Sequence, residues 1–357
     1  MKRLVVCCDG TWNVPRGGSD ATNVWKLRRA VAPMDAAGVE QRAFYAAGVG
    51  TKRFTRLRGG AYGRGLSDNV RDTYRWIVQN FSPGDALFLF GFSRGAYTAR
   101  SVAGMIRNVG VLRPEEVGRV GAAFRLYRNR EPGAHPNGDA ARTFRRAHSV
   151  ESRIAFLGVF DTVGALGIPM ASKPLIGGFA RVRWGFHDVQ LSSSVDVAIQ
   201  ALAIDERRSA FAPTLWSKPV HPGNRVLEQV WFAGVHSNVG GGYAQCELSD
   251  LALTFMRERA GREGLVFRPG TEPARDLYGN LADSASGFWR RTPLGRRAIG
   301  RLPDPDGLGW LDGPDFTQSL HESVARRREW QPGYAPSNLA KYLTHGQIPG
   351  DVLILRE

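Results

Sequence analysis

The chain of 357 residues has a formal net charge of +15, and 43% of its residues are hydrophobic. This length suits one large α/β domain or two ordinary domains, and the hydrophobic content is typical of a globular protein. No apolar run approaches the roughly 18–20 residues of a membrane-spanning helix. The apolar run near the N-terminus, residues 4–8, is shorter than the ~7–15 residue core of a secretory signal. We therefore expect a cytoplasmic protein, and export by a machine that reads no such signal stays open.

The cysteines and the basic residues argue against disulfide-rich, zinc-binding and nucleic-acid-binding proteins. Three cysteines cannot build a disulfide framework, and their spacing matches no common zinc pattern. Cys7 and Cys8 are adjacent in an apolar run, which predicts buried, reduced thiols. The positive charges, most of them arginines, attract anionic partners such as acidic lipid headgroups. They form no continuous basic stripe with interleaved aromatic residues, which argues against a dedicated nucleic-acid-binding module.

Strand and helix signals alternate along most of the chain. Short apolar runs predict strands, and apolar residues repeated every three or four positions predict helices. The predicted strands cover residues 3–8, 43–47, 86–90, 153–160 and 226–232. The predicted helices cover residues 22–31, 69–81, 94–108, 193–204 and 248–260. This alternation predicts a single α/β domain over residues 1–357 with a mostly parallel central sheet flanked by helices. The pattern weakens over residues 264–336, which we interpret as a C-terminal cap or insertion.

A serine lies where a buried strand turns into a helix. Gly91-Phe-Ser93-Arg-Gly95 matches the nucleophile-elbow pattern G-x-S-x-G, between the predicted strand 86–90 and the predicted helix 94–108. Side chains at the two glycines would clash in so tight a turn. The context predicts an α/β-hydrolase-like fold with Ser93 as nucleophile.

A serine nucleophile needs a histidine base and an acid that orients it. His236 follows the predicted strand 226–232 in a glycine-rich loop, and catalytic groups collect at the carboxyl ends of strands in α/β sheets. Asp161 follows the predicted strand 153–160 in the same way and is the preferred acid. Asp205 is the alternative, although its neighbouring arginines favour a structural ion pair.

The tetrahedral intermediate also needs N–H donors for its oxyanion. We expect one from the backbone of Arg94, directly after the nucleophile, and one from the loop that contains Gly10 and Thr11. Asp9 and Asn13 are expected to brace that loop. Hydrolysis by such a triad requires neither a metal ion nor a cofactor, and we predict none.

Several motifs occur together in the order of a known family. They resemble the α/β-hydrolase family called domain of unknown function 2235, which includes the catalytic domain of type VI secretion phospholipase effectors. The main matching segments are Cys8-Asp-Gly-Thr-Trp-Asn13, Gly48-Val-Gly-Thr51, Gly91-Phe-Ser-Arg-Gly-Ala-Tyr-Thr-Ala-Arg100, Phe160-Asp-Thr-Val163, Asp205-Glu-Arg-Arg208 and His236-Ser-Asn-Val-Gly-Gly-Gly-Tyr243.

The resemblance implies a lipase or phospholipase. Ser93, Asp161 and His236 match the family's catalytic positions, and its characterised members cleave acyl esters of phospholipids. We therefore expect a serine carboxylester hydrolase that forms an acyl-enzyme on Ser93. The basic, tryptophan-bearing stretch of residues 288–310 is a candidate for peripheral contact with an anionic membrane, beside the alternative of a solvated loop.

Other functions stay open from the sequence. A soluble esterase of small esters is the main alternative, and a non-catalytic protein that binds anionic surfaces with the same fold is another. Asp9-Gly-Thr11 is similar to the box of haloacid-dehalogenase-like phosphatases. That box needs a nucleophilic aspartate where this chain has Cys7, so the phosphatase hypothesis fails at its nucleophile.

Overall fold

A seven-stranded sheet forms the centre of the computed structural model. The model describes residues 1–10, 18, 20–48, 59–164, 191–216, 223–286, 293–303, 310–314 and 317–344, with the backbone alone at 59–64, 302–303 and 310–314. The strands of the sheet are β1 (Arg3–Cys8), β2 (Gln41–Ala46), β3 (Ala86–Phe92), β6 (Ile154–Phe160), β7 (Val195–Ala203), β8 (Val226–Phe232) and β11 (Gln318–Leu320). Their order in the sheet is β11-β8-β7-β6-β3-β1-β2, and each of these pairings is parallel.

Helices cover both faces of this sheet, and short strands pair outside it. The short strands are β4 (Val111–Leu112) with β5 (Ser149–Val150), and β9 (Arg301–Pro303) with β10 (Trp310–Pro314). The described helices are α1 (Asn23–Ala30), α2 (Gly59–Asn80), α3 (Arg94–Val109), α4 (Val120–Arg128), α5 (Asp139–His148), α6 (His236–Gly240), α7 (Glu247–Arg262), α8 (Glu322–Trp330) and α9 (Ser337–Thr344). No helix in this described part of the chain is long and apolar enough to cross a membrane.

The two hydrophobic cores follow from the alternation of side chains along the strands. In β1, Leu4 and Val6 pack into the core under α2, α3 and α4, whereas Val5 and Cys7 pack into the core under α1 and α7. Successive side chains of a strand point to opposite faces, so an unbroken apolar run becomes buried on both sides. Full burial of one such aliphatic side chain stabilises the fold by about 1.5–3 kcal/mol. Cys7 and Cys8 are buried free thiols.

The predicted α/β-hydrolase-like architecture is confirmed, with one wrong element. Residues 193–204 were expected to form a helix, but β7 occupies Val195–Ala203. The alanines of this segment favour a helix in isolation, whereas Val195, Val197 and Ile199 alternate at the spacing of a strand. The segment forms a strand because it is inserted between β6 and β8, where both of its faces are buried.

Part of the segment expected to form a cap belongs to the sheet itself. Within residues 264–336, β11 pairs in parallel with β8 and adds the edge strand. Leu320 and Val324 then pack with Trp231 of β8 in a third apolar cluster, together with Ile299 and Leu339. These residues pack against the edge of the sheet that β8 and β11 form, and the cap or insertion over residues 264–336 stays a prediction.

Candidate active site

The predicted nucleophile has a strained backbone between a strand and a helix. β3 ends at Phe92 and α3 begins at Arg94, and Ser93 between them has φ 57° and ψ −120°. A residue other than glycine in such a region is strained by about 1–3 kcal/mol, and strain of this kind is concentrated at functional sites. The sharp turn places Ser93 at the carboxyl end of a central strand, where its residue surface is 4% exposed.

The glycines on either side of Ser93 are required by contact with the neighbouring backbone. A Cβ atom at Gly91 would lie 2.5 Å from the Cα atom of Ala96. A Cβ atom at Gly95 would lie 2.1 Å from the carbonyl oxygen of Cys8. Both distances are far below van der Waals contact, so any side chain here would push α3 away from the sheet. The steric reason expected from the G-x-S-x-G pattern is therefore present in the structure.

The predicted acid and base form a buried hydrogen bond. Asp161 directly follows β6, and His236 is the first residue of α6 after β8. The Nδ1 atom of His236 donates to Oδ2 of Asp161 over 2.5 Å. This bond places the ring proton on Nδ1 and leaves Nε2 as the basic nitrogen. Asp161 and His236 are 75 positions apart in the sequence. They meet because parallel strands bring their carboxyl ends to one edge of the sheet.

Ser93 lies at the same edge, next to both partners. Its backbone N–H donates to the carbonyl oxygen of Phe160, the residue before Asp161, over 3.0 Å. The ring of Phe92, the residue before Ser93, lies 4.7 Å from the imidazole of His236 between ring centroids. The structure thus brings together Ser93, Asp161 and His236.

A residue that the sequence analysis missed completes the environment of Asp161. The guanidinium of Arg297 donates from Nη1 to Oδ1 over 2.5 Å and from Nη2 to Oδ2 over 2.9 Å. Both side chains are almost completely inaccessible to solvent. Burial by itself would raise the pKa of Asp161, but Arg297 and the hydrogen bond from His236 hold it well below its usual range. Asp161 is therefore a carboxylate at neutral pH.

The predicted base, His236, is favoured in its neutral form. Burial lowers the pKa of His236 below its usual value, and the charge of Arg297 lowers it further. The carboxylates of Asp161 and Glu206 act in the opposite direction without reversing the shift. A neutral imidazole can accept a proton at Nε2, which is what a general base requires.

The alternative acid has a different position. Oδ2 of Asp205 accepts hydrogen bonds from the backbone N–H of Gly234 over 2.7 Å and from the hydroxyl of Tyr334 over 2.8 Å. The bond from Gly234 holds the segment after β7 against the loop that leads to His236. Asp205 is thus placed as a support of that loop, whereas Asp161 contacts the imidazole.

The candidate oxyanion donors are described only in part. Arg94 is the first residue of α3, so the positive end of the helix dipole lies beside Ser93. The N–H of Gly10 donates to Oδ1 of its neighbour Asp9 over 2.7 Å, so an oxyanion would have to compete with a carboxylate for this donor. Asp9 also accepts from the hydroxyls of Thr22 and Tyr45, and it braces the start of the loop.

Several predicted features lie outside the described residues. These are Thr11, Asn13 and residues 288–292 and 304–309 of the candidate membrane-contact stretch. Among the described residues, no group of three or more His, Cys, Asp or Glu side chains is arranged to hold a metal ion.

A strained serine after a buried strand, with a His–Asp pair at the same edge of a parallel sheet, defines an α/β-hydrolase-like protein. Residues 2–259 match the family described as "T6SS, Phospholipase effector Tle1-like, catalytic domain". The chain belongs to this family, whose description is that of an ester-hydrolysing enzyme domain.

Among individual relatives, the chain is 30% identical over 232 residues to the uncharacterized protein YEL023C of Saccharomyces cerevisiae. The match covers 59% of this chain and 32% of that relative. The chain thus spans about a third of the length of that curated relative.

Three solved structures have partial similarity to this chain: an uncharacterized protein, a secretion effector and an esterase. An uncharacterized protein from Pseudomonas aeruginosa has 17% identity and a TM-score of 0.42, over 76% of this chain and 47% of its own. The Tle1 effector, solved bound to the VgrG spike of the type 6 secretion system, has 20% identity and a TM-score of 0.40, over 68% and 51%. The butyrate-bound esterase Est2 of Thermogutta terrifontis has 15% identity and a TM-score of 0.36, over 74% and 84%.

Proposed function

We propose that this chain is a serine carboxylester hydrolase that cleaves acyl esters of phospholipids through an acyl-enzyme on Ser93. The observation that carries the proposal is the buried hydrogen bond between His236 and Asp161, beside a serine in the strained conformation of a nucleophile elbow. Membership in the family of phospholipase effector catalytic domains supports the choice of a lipid ester as substrate.

The proposed reaction uses each residue in turn. His236 Nε2 takes the proton of the Ser93 hydroxyl as Oγ attacks the acyl carbonyl carbon. The charge that develops on the carbonyl oxygen is stabilised by the backbone N–H of Arg94 and the amino end of α3. The imidazolium then gives its proton to the leaving alcohol, and the acyl group stays on Ser93.

Hydrolysis of the acyl-enzyme repeats the same steps with water. His236 removes a proton from the water molecule, which attacks the acyl carbon, and the imidazolium returns the proton to Ser93 Oγ. Asp161 keeps the ring in the tautomer with its proton on Nδ1 and stabilises the imidazolium in both halves of the reaction. The second oxyanion donor belongs to the loop that follows β1, for which Gly10 and Thr11 stay our candidates.

The test is labelling by a fluorophosphonate probe, which reacts with activated serines. We expect the wild type to be labelled and Ser93→Ala to be unlabelled. Ser101→Ala is the matched control, because Ser101 is also a buried serine of α3 and lies two turns away from the elbow. Folded wild-type protein that resists the probe would refute the proposed mechanism.

A substrate panel then tests the lipid assignment. Diacyl phospholipid vesicles are compared with short-chain nitrophenyl esters at equal ester concentration. Faster release of fatty acid from vesicles supports a phospholipase. Hydrolysis of the short esters alone would replace the lipid substrate with a small carboxylic ester, the alternative that the sequence leaves open.

A further inference from the structure

Asp161 is bound by two cationic or potentially cationic side chains at once. His236 uses one edge of the carboxylate, and the planar guanidinium of Arg297 bonds to both oxygens in a bidentate arrangement. Planar bidentate pairing of this kind fixes the plane of the carboxylate as well as its charge. The acid of the proposed triad therefore cannot rotate away from the imidazole without breaking the pair with Arg297.

Arg297 is itself held by the backbone. Its Nη1 atom donates to the carbonyl oxygen of Ala203 over 2.9 Å, and Nη2 donates to that of Phe211 over 2.6 Å. The segment before it is bound to the loop after β7, since the N–H of Gly295 donates to the carbonyl oxygen of Arg207 over 2.7 Å. The guanidinium is thus in place before any substrate arrives. Arg297 lies beyond residues 2–259, the part of the chain that matches the family.

The charged groups around the imidazole form two pairs. Arg297 is paired with Asp161, and Arg208 is paired with Glu206 through two contacts of 2.7 and 2.9 Å. Glu206 also accepts from the backbone N–H of His236 over 3.3 Å. The two carboxylates raise the pKa of His236 and Arg297 lowers it, while Arg208 pairs with Glu206. Loss of Arg297 alone would leave one carboxylate in excess next to the base.

We infer that Arg297 is a positioning residue of the proposed active site: it orients Asp161. Its positive charge also keeps His236 deprotonated down to a lower pH than in a triad without Arg297. The inference rests on the proposed function. The acid limb of the pH profile of kcat/KM reports the protonation of the base in the free enzyme. His236 must be neutral to act, so Arg297 extends activity toward acidic pH.

The experiment compares the pH profile of kcat/KM on a short-chain ester for four proteins: wild type, Arg297→Met, Arg297→Lys and Arg207→Met. In Arg297→Met we expect the acid limb to move to higher pH by about one unit, because a charge within about 4–6 Å shifts a pKa by roughly 1–3 units. Misorientation of Asp161 should also lower the plateau by about 100-fold. Arg297→Lys retains the charge without the planar pairing, so it should lower the plateau with little movement of the limb.

Arg207→Met is the matched control. Arg207 lies in the loop after β7 that contacts the segment before Arg297, but its side chain is paired with Asp283 at the surface, so its profile should match that of the wild type. An unmoved acid limb in folded Arg297→Met would overturn the inference. Full wild-type activity of Arg297→Lys would also overturn it, since the bidentate geometry would then be dispensable.

A double variant adds a second test, and Arg297→Lys, which keeps the buried positive charge, carries the first test when Arg297→Met does not fold. Asp161→Asn with Arg297→Met removes both buried charges together. If Arg297 acts through Asp161, adding Arg297→Met to Asp161→Asn should change kcat/KM less than twofold, whereas a further loss of tenfold or more contradicts the inference. Fluorophosphonate labelling of the wild type separates the two hypotheses. An unlabelled wild type refutes the proposed function, whereas a labelled wild type with an unmoved limb in the variant refutes only the role of Arg297.

Discussion

Replacing Ser93 with glycine should stabilise the fold while it abolishes activity. Ser93 has φ 57° and ψ −120°, a backbone conformation that glycine adopts without strain. Relief of that strain is worth about 1–3 kcal/mol. Glycine also gains freedom in the unfolded chain, which offsets about 0.5–1 kcal/mol. We therefore expect Ser93→Gly to exceed Ser93→Ala in free energy of unfolding by about 1 kcal/mol.

Comparison of the two variants isolates the backbone. Both lack the hydroxyl, so its loss cancels, and they differ by one methyl group and by the freedom of the main chain. The assay is equilibrium unfolding in urea, with the slope m checked for constancy. The control is Ala99→Gly, at a buried position inside α3, which should destabilise by about 1 kcal/mol or more because glycine weakens a helix interior.

The outcome that refutes this reasoning is a Ser93→Gly protein no more stable than Ser93→Ala, with the Ala99→Gly control behaving as expected. The conformation at Ser93 would then store little strain, and its role in presenting the hydroxyl would lose its energetic support. Both Ser93 variants should remain unlabelled by a fluorophosphonate, so the gain in stability comes with a complete loss of the proposed nucleophile.

Three further outcomes are expected. Asp161→Asn should lower kcat by about 10⁴-fold, as the same substitution does in a well-studied Ser-His-Asp enzyme, and steady-state kinetics measure this. It should also lower the free energy of unfolding by about 3–5 kcal/mol, because it leaves the buried guanidinium of Arg297 without its counter-charge, and urea unfolding measures this. Gly95→Ala should fail to accumulate as folded protein, because its Cβ would lie 2.1 Å from the carbonyl oxygen of Cys8, and normal circular dichroism and thermal unfolding of a soluble variant would contradict this. Burial raises the pKa of Asp85, but hydrogen bonds from the Lys2 ammonium and from nearby N–H groups outweigh burial and lower the pKa below its usual value. The charged carboxylate therefore stabilises the fold above about pH 4, and this stabilisation is lost as the pH falls through the lowered pKa. Asp85→Asn should therefore reduce the dependence of unfolding free energy on pH below about pH 4, and an unchanged slope would show that this pair is not responsible.

Local pattern was sufficient to predict where most residues of the candidate site lie in the fold. The strand, the turn at Ser93 and the helix after it are consecutive in the chain, so their geometry is written in a short segment with glycines where side chains would clash. Asp161 and His236 could be predicted because each directly follows a strand, and a parallel sheet gathers such positions at one edge.

One segment could form either a helix or a strand, and its neighbours in the sheet determined which of the two it forms. Residues 195–203 contain alanines that favour a helix and β-branched residues that favour a strand. Their position between β6 and β8 determines the result, because a central strand buries both faces and satisfies its backbone through hydrogen bonds to both neighbours. That position is a property of the whole sheet and has no local signal.

Arg297 shows most clearly what only the tertiary structure decides. It lies 136 residues from Asp161, in a stretch rich in glycine, proline and arginine without clear periodicity. Nothing distinguishes it in the sequence from the other arginines of a chain with a net charge of +15. The local sequence determined which residues are candidates for the reaction and where the chain turns. Only the folded chain decides that Arg297 is the cation that pairs with Asp161. The carboxylate needs a bidentate partner because the fold removes it from water, and the fold brings Arg297 to that position.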